Sequence, residues 1–434
     1  MNLQTVAWNS LSNLEQRALL ERPAQRNAVE VAVGARQIIE RVRREGDAAL
    51  IALTRQFDAV HLDGLEVSAA EFRTAESALS SEQHAALEQA IANVTAFHAA
   101  QRPLPLRVET TPGVVCERIS VPIRAVGLYV PAGSAPLPST AIMLGVPAAI
   151  ADCPTRIMCT PPGRDATANP AVLVAARKAG VERVFKVGGA QAIAAMAYGT
   201  ASIAKCDKIF GPGNAWVTAA KLLVSQDSGG AAVDLPAGPT EVMVIADEDA
   251  DPGFVAADLL AQAEHSVDAQ ALLVTPSQAL AEAAGRELNR QAPLLSRSAI
   301  LRDSLQSIRL IVTADLGTAF DIANAYAPEH LLLEIRAART WLPRVTAAGA
   351  VFLGQWSPES IGDYCGGPNH TLPTYGYARC YSGLCLEDFQ KRITVSELSP
   401  QGLRQLGPTA QVLSRLEGLD GHAAAVSVRL ARLT

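Results

Sequence analysis

Short runs of aliphatic residues recur through the middle of this chain, each closed by Gly or Pro and followed by an Ala-rich stretch of helical length. Few folds accept that rhythm. "RAVGLYV", "TRIMCTPP", "RVFKVGG", "KIFGPG", "EVMVIAD", "ALLVT", "SIRLIVT", "LLLEI" and "GAVFLG" are near-continuously apolar rather than alternating. A strand that is apolar on both faces must be buried on both, which is the state of a parallel strand covered by helices on each side. The pattern predicts two doubly wound α/β units. Length agrees, since 434 residues exceed one ordinary hydrophobic core.

The first hundred residues differ. "VEVAVGARQIIERVRREGDAALIALTRQFD" and "SAAEFRTAESALSSEQHAALEQAIANVTAFHAAQ" place apolar residues at helical spacing with charges between them. The Asp/Pro/Gly-rich stretch "AAVDLPAGPTEVMVIADEDADPG" separates two strand-helix series and marks a boundary. Near residue 385 the texture turns helical again. No internal repeat or low-complexity segment is visible.

Composition excludes several classes. Hydrophobic residues make up 49% and charged residues 18%, the balance of a folded enzyme and not of a disordered chain. A net charge of −6 without any block of like charges argues against a nucleic-acid partner. The N-terminus lacks a basic segment followed by an apolar one, and no window approaches a membrane span. Seven cysteines with no C-x-x-C pair fit a reduced cytoplasm.

Chemistry-bearing residues gather in the second half. In "DPGFVAADLLAQAEH", Pro252 suits a first helical turn with Asp251 near its cap, which leaves Gln262 and His265 three apart near the helix end. An amide oxygen and an imidazole so placed can share a metal, although a polar last turn with His265 complementing the helix dipole explains this segment alone more simply. "SPESIGDYCGGPNHTLPTYGYA" puts Asp363 and His370 in a stretch whose Gly, Pro and Ser content predicts an irregular loop. "EGLDGHAAAV" adds Glu417, Asp420 and His422, readable as a solvated acidic turn. Together these residues suffice for one mixed N/O metal site, which suits zinc or manganese, plus an acid-base pair.

That pair is Glu329-His330 in "NAYAPEHLLLEI". Pro ends the preceding helix, so both residues lie in a turn before a strand, and a shared site requires the turn to bend both side chains one way. "KVGGAQAIAAMAYG" and "KIFGPGNAWVTAAKLL" each run from strand through a Gly turn into a helix, which serves anion binding or simply a tight turn, and neither is a G-x-G-x-x-G loop. Lone cysteines such as Cys153 and Cys159 read as small buried hydrophobes.

The ordered set "GLYVPAGSAPLPSTAIMLGVPA", "VGGAQAIAAMAYGT", "IFGPGNAWV", "DLPAGPTEVMVIAD", "DLLAQAEH", "YAPEHL", "IGDYCGGPNHTLPTYGYA" and "EGLDGHAAAV" resembles histidinol dehydrogenases over essentially the whole chain. The resemblance implies two incomplete Rossmann-like, aldehyde-dehydrogenase-like domains with small helical appendages at both ends. The division expected is an extension over 1–25, a metal and substrate domain from 26–128 and 240–384, an NAD-side domain over 129–239, and a tail over 385–434 that crosses to the partner of a homodimer. The resemblance further implies zinc on Gln262, His265, Asp363 and His422, and catalysis by Glu329 and His330. Substrate contacts fall on Thr240, His370 and Glu417 besides His330 and the zinc set, and NAD contacts on Tyr129, Gln191 and Asn214. Position 240 carries Thr where Ser is common, and the hydroxyl is retained.

The implied reaction is cytoplasmic oxidation of L-histidinol to L-histidine. Four electrons leave, so two NAD molecules act in succession and the aldehyde stays bound and is hydrated between the steps. With His330 neutral near its reference value of roughly 6.5 it serves as base, and Glu329 is expected to activate water. No cysteine has a required role. A dehydrogenase of another polar alcohol and a non-catalytic scaffold with a structural metal are the competing readings.

Overall fold

The computed structural model describes residues 5–22, 28–132, 135–236 and 238–433. Two parallel sheets dominate it. The five-stranded sheet comprises Ala125–Tyr129, Thr155–Thr160, Arg183–Lys186, Lys208–Phe210 and Ala232–Val233. Numbered along the chain, these strands lie in the spatial order 3-2-1-4-5, and every pairing is parallel. In the six-stranded sheet Glu241–Ala246, Gln270–Thr275, Arg309–Val312, His330–Glu334 and Ala350–Leu353 repeat that order, and Thr5–Ala7 adds an edge beside Arg309–Val312. This is the order of a nucleotide-binding half fold, with its switch point between the first and fourth strands. The two α/β units anticipated from the apolar runs are present, and the same winding occurs twice on sequences that show no repeat.

Each sheet is sealed on both faces, which explains the near-continuous apolar strands. Glu241–Ala246 and Gln270–Thr275 are buried at every position. In the five-stranded sheet Val126, Leu128, Met158, Val184 and Phe210 point into one core, while Ile157, Cys159, Phe185 and Ile209 point into the other. Such burial is the main stabilising term, on the order of 1.5–3 kcal/mol per fully buried large side chain.

The N-terminal helices lie elsewhere than the expected domain division put them. Ala28–Glu45 and Asp47–Phe57 bury Ile38, Ile39, Val42, Leu50 and Leu53 against the 189–198 and 215–225 helices, and Ala69–Ala78 and Ser81–Ala99 bury Phe72 and Val94 on the opposite face of the same sheet. Residues 28–99 therefore pack mainly on the 125–233 sheet, and the Ser81–Ala99 helix also reaches 240–384, through Asn93 to the Cys365 carbonyl and His98 to Asn369. The expected boundary at 25/26 falls outside the described residues. An antiparallel ribbon joins Leu106–Thr111, Val114–Pro122 and Gln390–Leu398. Pro400–Leu416 and Asp420–Leu430 follow as a helical pair, as the tail texture predicts.

Gly211 closes the fourth strand's turn in the five-stranded sheet. Its φ is +121°, and a Cβ there would run into the Tyr129 carbonyl. Its N–H donates to Asp234 Oδ2 at 2.7 Å, while Lys221 Nζ donates to its carbonyl at 2.9 Å. Gly211→Ala should therefore cost about 2–4 kcal/mol from strain and overpacking together, seen as a drop of several degrees in thermal midpoint.

Candidate active site

The Glu329–His330 pair sits where one helix is forced to stop. Leu316–Tyr326 ends at Ala327, which adopts φ +55° and ψ +68°, and Pro328 follows. Left-handed Ala is uncommon and costs roughly 1–2 kcal/mol, so neighbours must hold it. Arg22 does so: its guanidinium lies 3.9 Å over the Tyr326 ring and donates to the Tyr326 carbonyl at 2.9 Å. Arg379 also donates to Ala325 and Tyr326 carbonyls. The chain then turns sharply enough that Glu329 Oε2 and His330 Nδ1, neighbours in sequence, lie 3.8 Å apart. That is the bend the Ala-Pro-Glu-His sequence demands.

Glu241 ties the pair to the sheet, and nothing in the sequence singled it out. Fully buried, it forks onto Arg22 Nε and Nη2 and accepts from Tyr375 N at 3.0 Å. Its own N–H donates to Glu329 Oε2 at 2.9 Å, and its carbonyl lies 3.2 Å from His330 Nδ1. Thr240 Oγ1 donates to the same Glu329 oxygen at 2.6 Å, so both of these bonds fall on Oε2.

Asp251 caps the Pro252–Ala263 helix, as predicted, and Gln262 and His265 stand at its far end. Thr240 has one hydroxyl hydrogen and gives it to Glu329, so the Gln262 amide nitrogen donates to Thr240 Oγ1 at 2.5 Å. The Gln262 oxygen then faces His330 Nδ1 at 3.2 Å. Asp363 lies within a short helix, Glu359–Tyr364, where an irregular loop was expected. Pro358 presets the backbone at its start, and Glu359 provides the acid favoured in a first turn. Glu359 is a second residue the sequence reading missed: it is 2% exposed, with Oε1 3.4 Å from His330 Nδ1. His265, Glu359 and Asp363 bring donor atoms within 4.8 Å of one another, a mixed imidazole and carboxylate set that fits zinc or manganese. His370 packs beside them, Nδ1 2.9 Å from the Asp363 carbonyl and Nε2 3.2 Å from Thr140 Oγ1. Glu417 and His422 are exposed on the tail and do not belong to the cluster.

The electrostatics correct one expectation. Burial lowers the His330 pKa, but the carboxylates of Glu359, Glu329 and Asp363 outweigh it and push it up to about 10. The converging carboxylates thus favour the protonated form of His330, a pull absent from its reference value. A divalent cation on Asp363 would oppose that pull. Burial raises Glu329 to about 7, while it lowers His265 and His370.

A cavity of about 880 Å³ opens over the carboxyl ends of the five-stranded sheet. Tyr129, Gln191 and Asn214 all line it, and its far wall reaches His265 and Arg297. The Gly189 N–H donates to Tyr129 Oη at 3.0 Å, and Asn214 caps the 215–225 helix through Oδ1. So the first sheet offers its strand ends to a ligand, as doubly wound sheets do, whereas Glu329 and His330 stand at a strand start of the second. Cys153 and Cys159 are fully buried, and burial raises both thiols, Cys153 to about 11, which suits neither to nucleophilic work.

Glu334, at the other end of the strand that His330 begins, is 4% exposed, and its oxygens make no regular hydrogen bond among the described residues. Burial, then the neighbouring Asp258 carboxyl, pushes it up to about 8. The folded state holds a proton that the unfolded chain releases above roughly 4.5, so stability falls as pH rises from there to about 8. Glu334→Gln should flatten the decline in thermal midpoint between pH 5 and pH 8, and an unchanged slope would place the titration elsewhere.

A sequence profile described as histidinol dehydrogenase matches residues 20–430. The chain is 54% identical over 428 residues to the histidinol dehydrogenase of Xylella fastidiosa, covering 99% of each. With that of Vibrio parahaemolyticus it shares 51% over 432 residues, 100% of this chain and 99% of the relative. The crystal structure of histidinol dehydrogenase from Elizabethkingia anophelis is 42% identical, with a TM-score of 0.95 over 99% of this chain and 98% of that one.

Proposed function

The chain belongs to the histidinol dehydrogenase family, and from that footing we propose that it oxidises L-histidinol to L-histidine by two successive hydride transfers to NAD, through an aldehyde retained in the site. The observation that carries this reading is the continuity of one cavity, from Tyr129, Gln191 and Asn214 at the strand ends of one sheet to His265, which shares a donor cluster with Glu359 and Asp363. A hydride acceptor and an alcohol can meet only across such a junction.

Zinc, one ion per subunit, is assigned to Gln262, His265 and Asp363 with His422 from a second copy. When bound it supplies a positive template for the substrate and relieves the carboxylate hold on His330. His330 then moves the alcohol proton at Nε2, which faces Asp363 Oδ1 at 3.5 Å. An aldehyde carbon carries no hydroxyl, so water must add before a second hydride can leave. Glu329 takes the proton of that water at Oε1, its other oxygen being held by Thr240 and the Glu241 N–H. His330 serves again as base for the hydrate. Thr240, His370 and Glu417 are assigned to the substrate.

The homodimer has support of its own. The tail helices pack on each other and on the ribbon and expose Val412, Leu413, Leu416 and Leu419, an apolar strip suited to a second copy. His422 lies outside its own chain's cluster of His265, Glu359 and Asp363.

Purified protein should form about two NADH per L-histidinol and lose the activity to a chelator, by the electron count and the role of the metal; no NADH would sink the proposal. His330→Asn should slow both half-reactions by a factor on the order of 10²–10⁴, while Glu329→Gln slows mainly the second. Mixing Glu329→Gln with His422→Ala subunits tests the shared site. Mixed dimers then hold one intact site, so activity should return to about a quarter of wild type at random reassortment, and no recovery would refute tail exchange.

A further inference from the structure

We propose that Asp58 is the residue that makes this cavity accept NAD and refuse its 2′-phosphorylated counterpart, by binding the two hydroxyls of the adenosine ribose. The inference rests on the NAD reading above and extends it to a residue outside Tyr129, Gln191 and Asn214.

Four observations converge on Asp58. It lines the cavity between Phe57 and the strand-end residues, and it is the one acid among the described residues of a wall that also carries Arg164, His265 and Arg297. A pocket for a pyrophosphate gains nothing in general from an acid, so this one needs a specific partner. Its Oδ2 is buried and has no hydrogen-bond partner among the described residues, although a desolvated carboxylate oxygen left unpaired is costly. It also occupies the C-cap of the Asp47–Phe57 helix, where the dipole disfavours an anion, and Ala59 follows with φ +57°. Burial alone raises its carboxyl above the usual range. Local structure would be better served by almost any other polar residue, and the misfit points to a ligand.

The ligand's chemistry follows from the surroundings. Phe57, next to the acid in sequence, is 53% exposed and Trp216 40%, and with Pro161 and Pro162 they give the same cavity flat apolar surfaces for a purine. A ribose attached to that purine brings a vicinal diol, two donors that a carboxylate accepts together. A phosphate at the 2′ position would remove one donor and set two like charges in contact. Arg164, on the same wall, offers a cation to the pyrophosphate.

Calorimetric titration of the metal-free and zinc-loaded protein with NAD and NADP separately tests this without any turnover. Wild type should bind NAD more tightly than NADP by about 100-fold. Asp58→Asn keeps an acceptor for the diol and removes the charge, so NAD affinity should fall less than about tenfold while the preference over NADP drops by at least about tenfold. Asp58→Ala should lose NAD affinity by more than about tenfold, with an unchanged circular dichroism spectrum and thermal midpoint excluding misfolding. Equal binding of the two dinucleotides by wild type, or an unchanged ratio in Asp58→Asn, would overturn the assignment while leaving NAD in place. A wild type that binds neither would overturn the NAD reading itself, and this proposal with it.

Discussion

Glu241 is the constraint on which this site depends. A carboxylate with no exposure to water is tolerable only if paired, and the fork from Arg22 provides the pair. Arg22 at the same time holds the carbonyl before a left-handed alanine, so one ion pair fixes both the first strand of the second sheet and the turn that carries Glu329 and His330. Removing either partner would leave a buried charge alone, with a cost on the order of 3–5 kcal/mol. The backbone of Glu241 then aims Glu329 and touches His330, so this pair is oriented by the main chain of a central strand and not by a mobile loop.

Much of the architecture was legible in the sequence because burial on two faces leaves a plain mark. Strands such as "EVMVIAD" and "ALLVT" have no polar face to hide. The turn at Ala327 was legible for a local reason: proline forbids the helix from continuing, and a shared site forbids a straight strand. The Gln262 and His265 helix was readable from its cap. The 3-2-1-4-5 winding common to both sheets left no trace, since a topology can repeat while every side chain changes.

What escaped reading was charge inside the protein. In a sequence, Glu241 and Glu359 look like any acid at the start of a strand or helix, and only the fold shows that they meet Arg22 and His330 out of water. The upward pull on the His330 pKa escaped for the same reason: a reference value says nothing of three carboxylates converging in space. The amphipathic pattern of 28–99 announced helices but could not name the sheet they cover. A stretch judged irregular from its Gly and Pro held the short helix Glu359–Tyr364, and that helix presents Glu359 and Asp363 one turn apart to the cluster.

The ribbon has a consequence for how the chain is made. Gln390–Leu398 pairs along its whole length with Val114–Pro122, and Phe389 stacks on Phe210 at 4.1 Å within the core of the first sheet. A ribosome releases the earlier strand long before the later one exists. The first unit can wind its sheet during synthesis, but its ribbon edge stays open and its core lacks Leu384, Leu386 and Phe389 until translation is nearly over. Completion is therefore timed by the C-terminus, and a nascent chain halted before residue 385 would display an unpaired strand edge, the kind of surface that chaperones and other nascent copies seize.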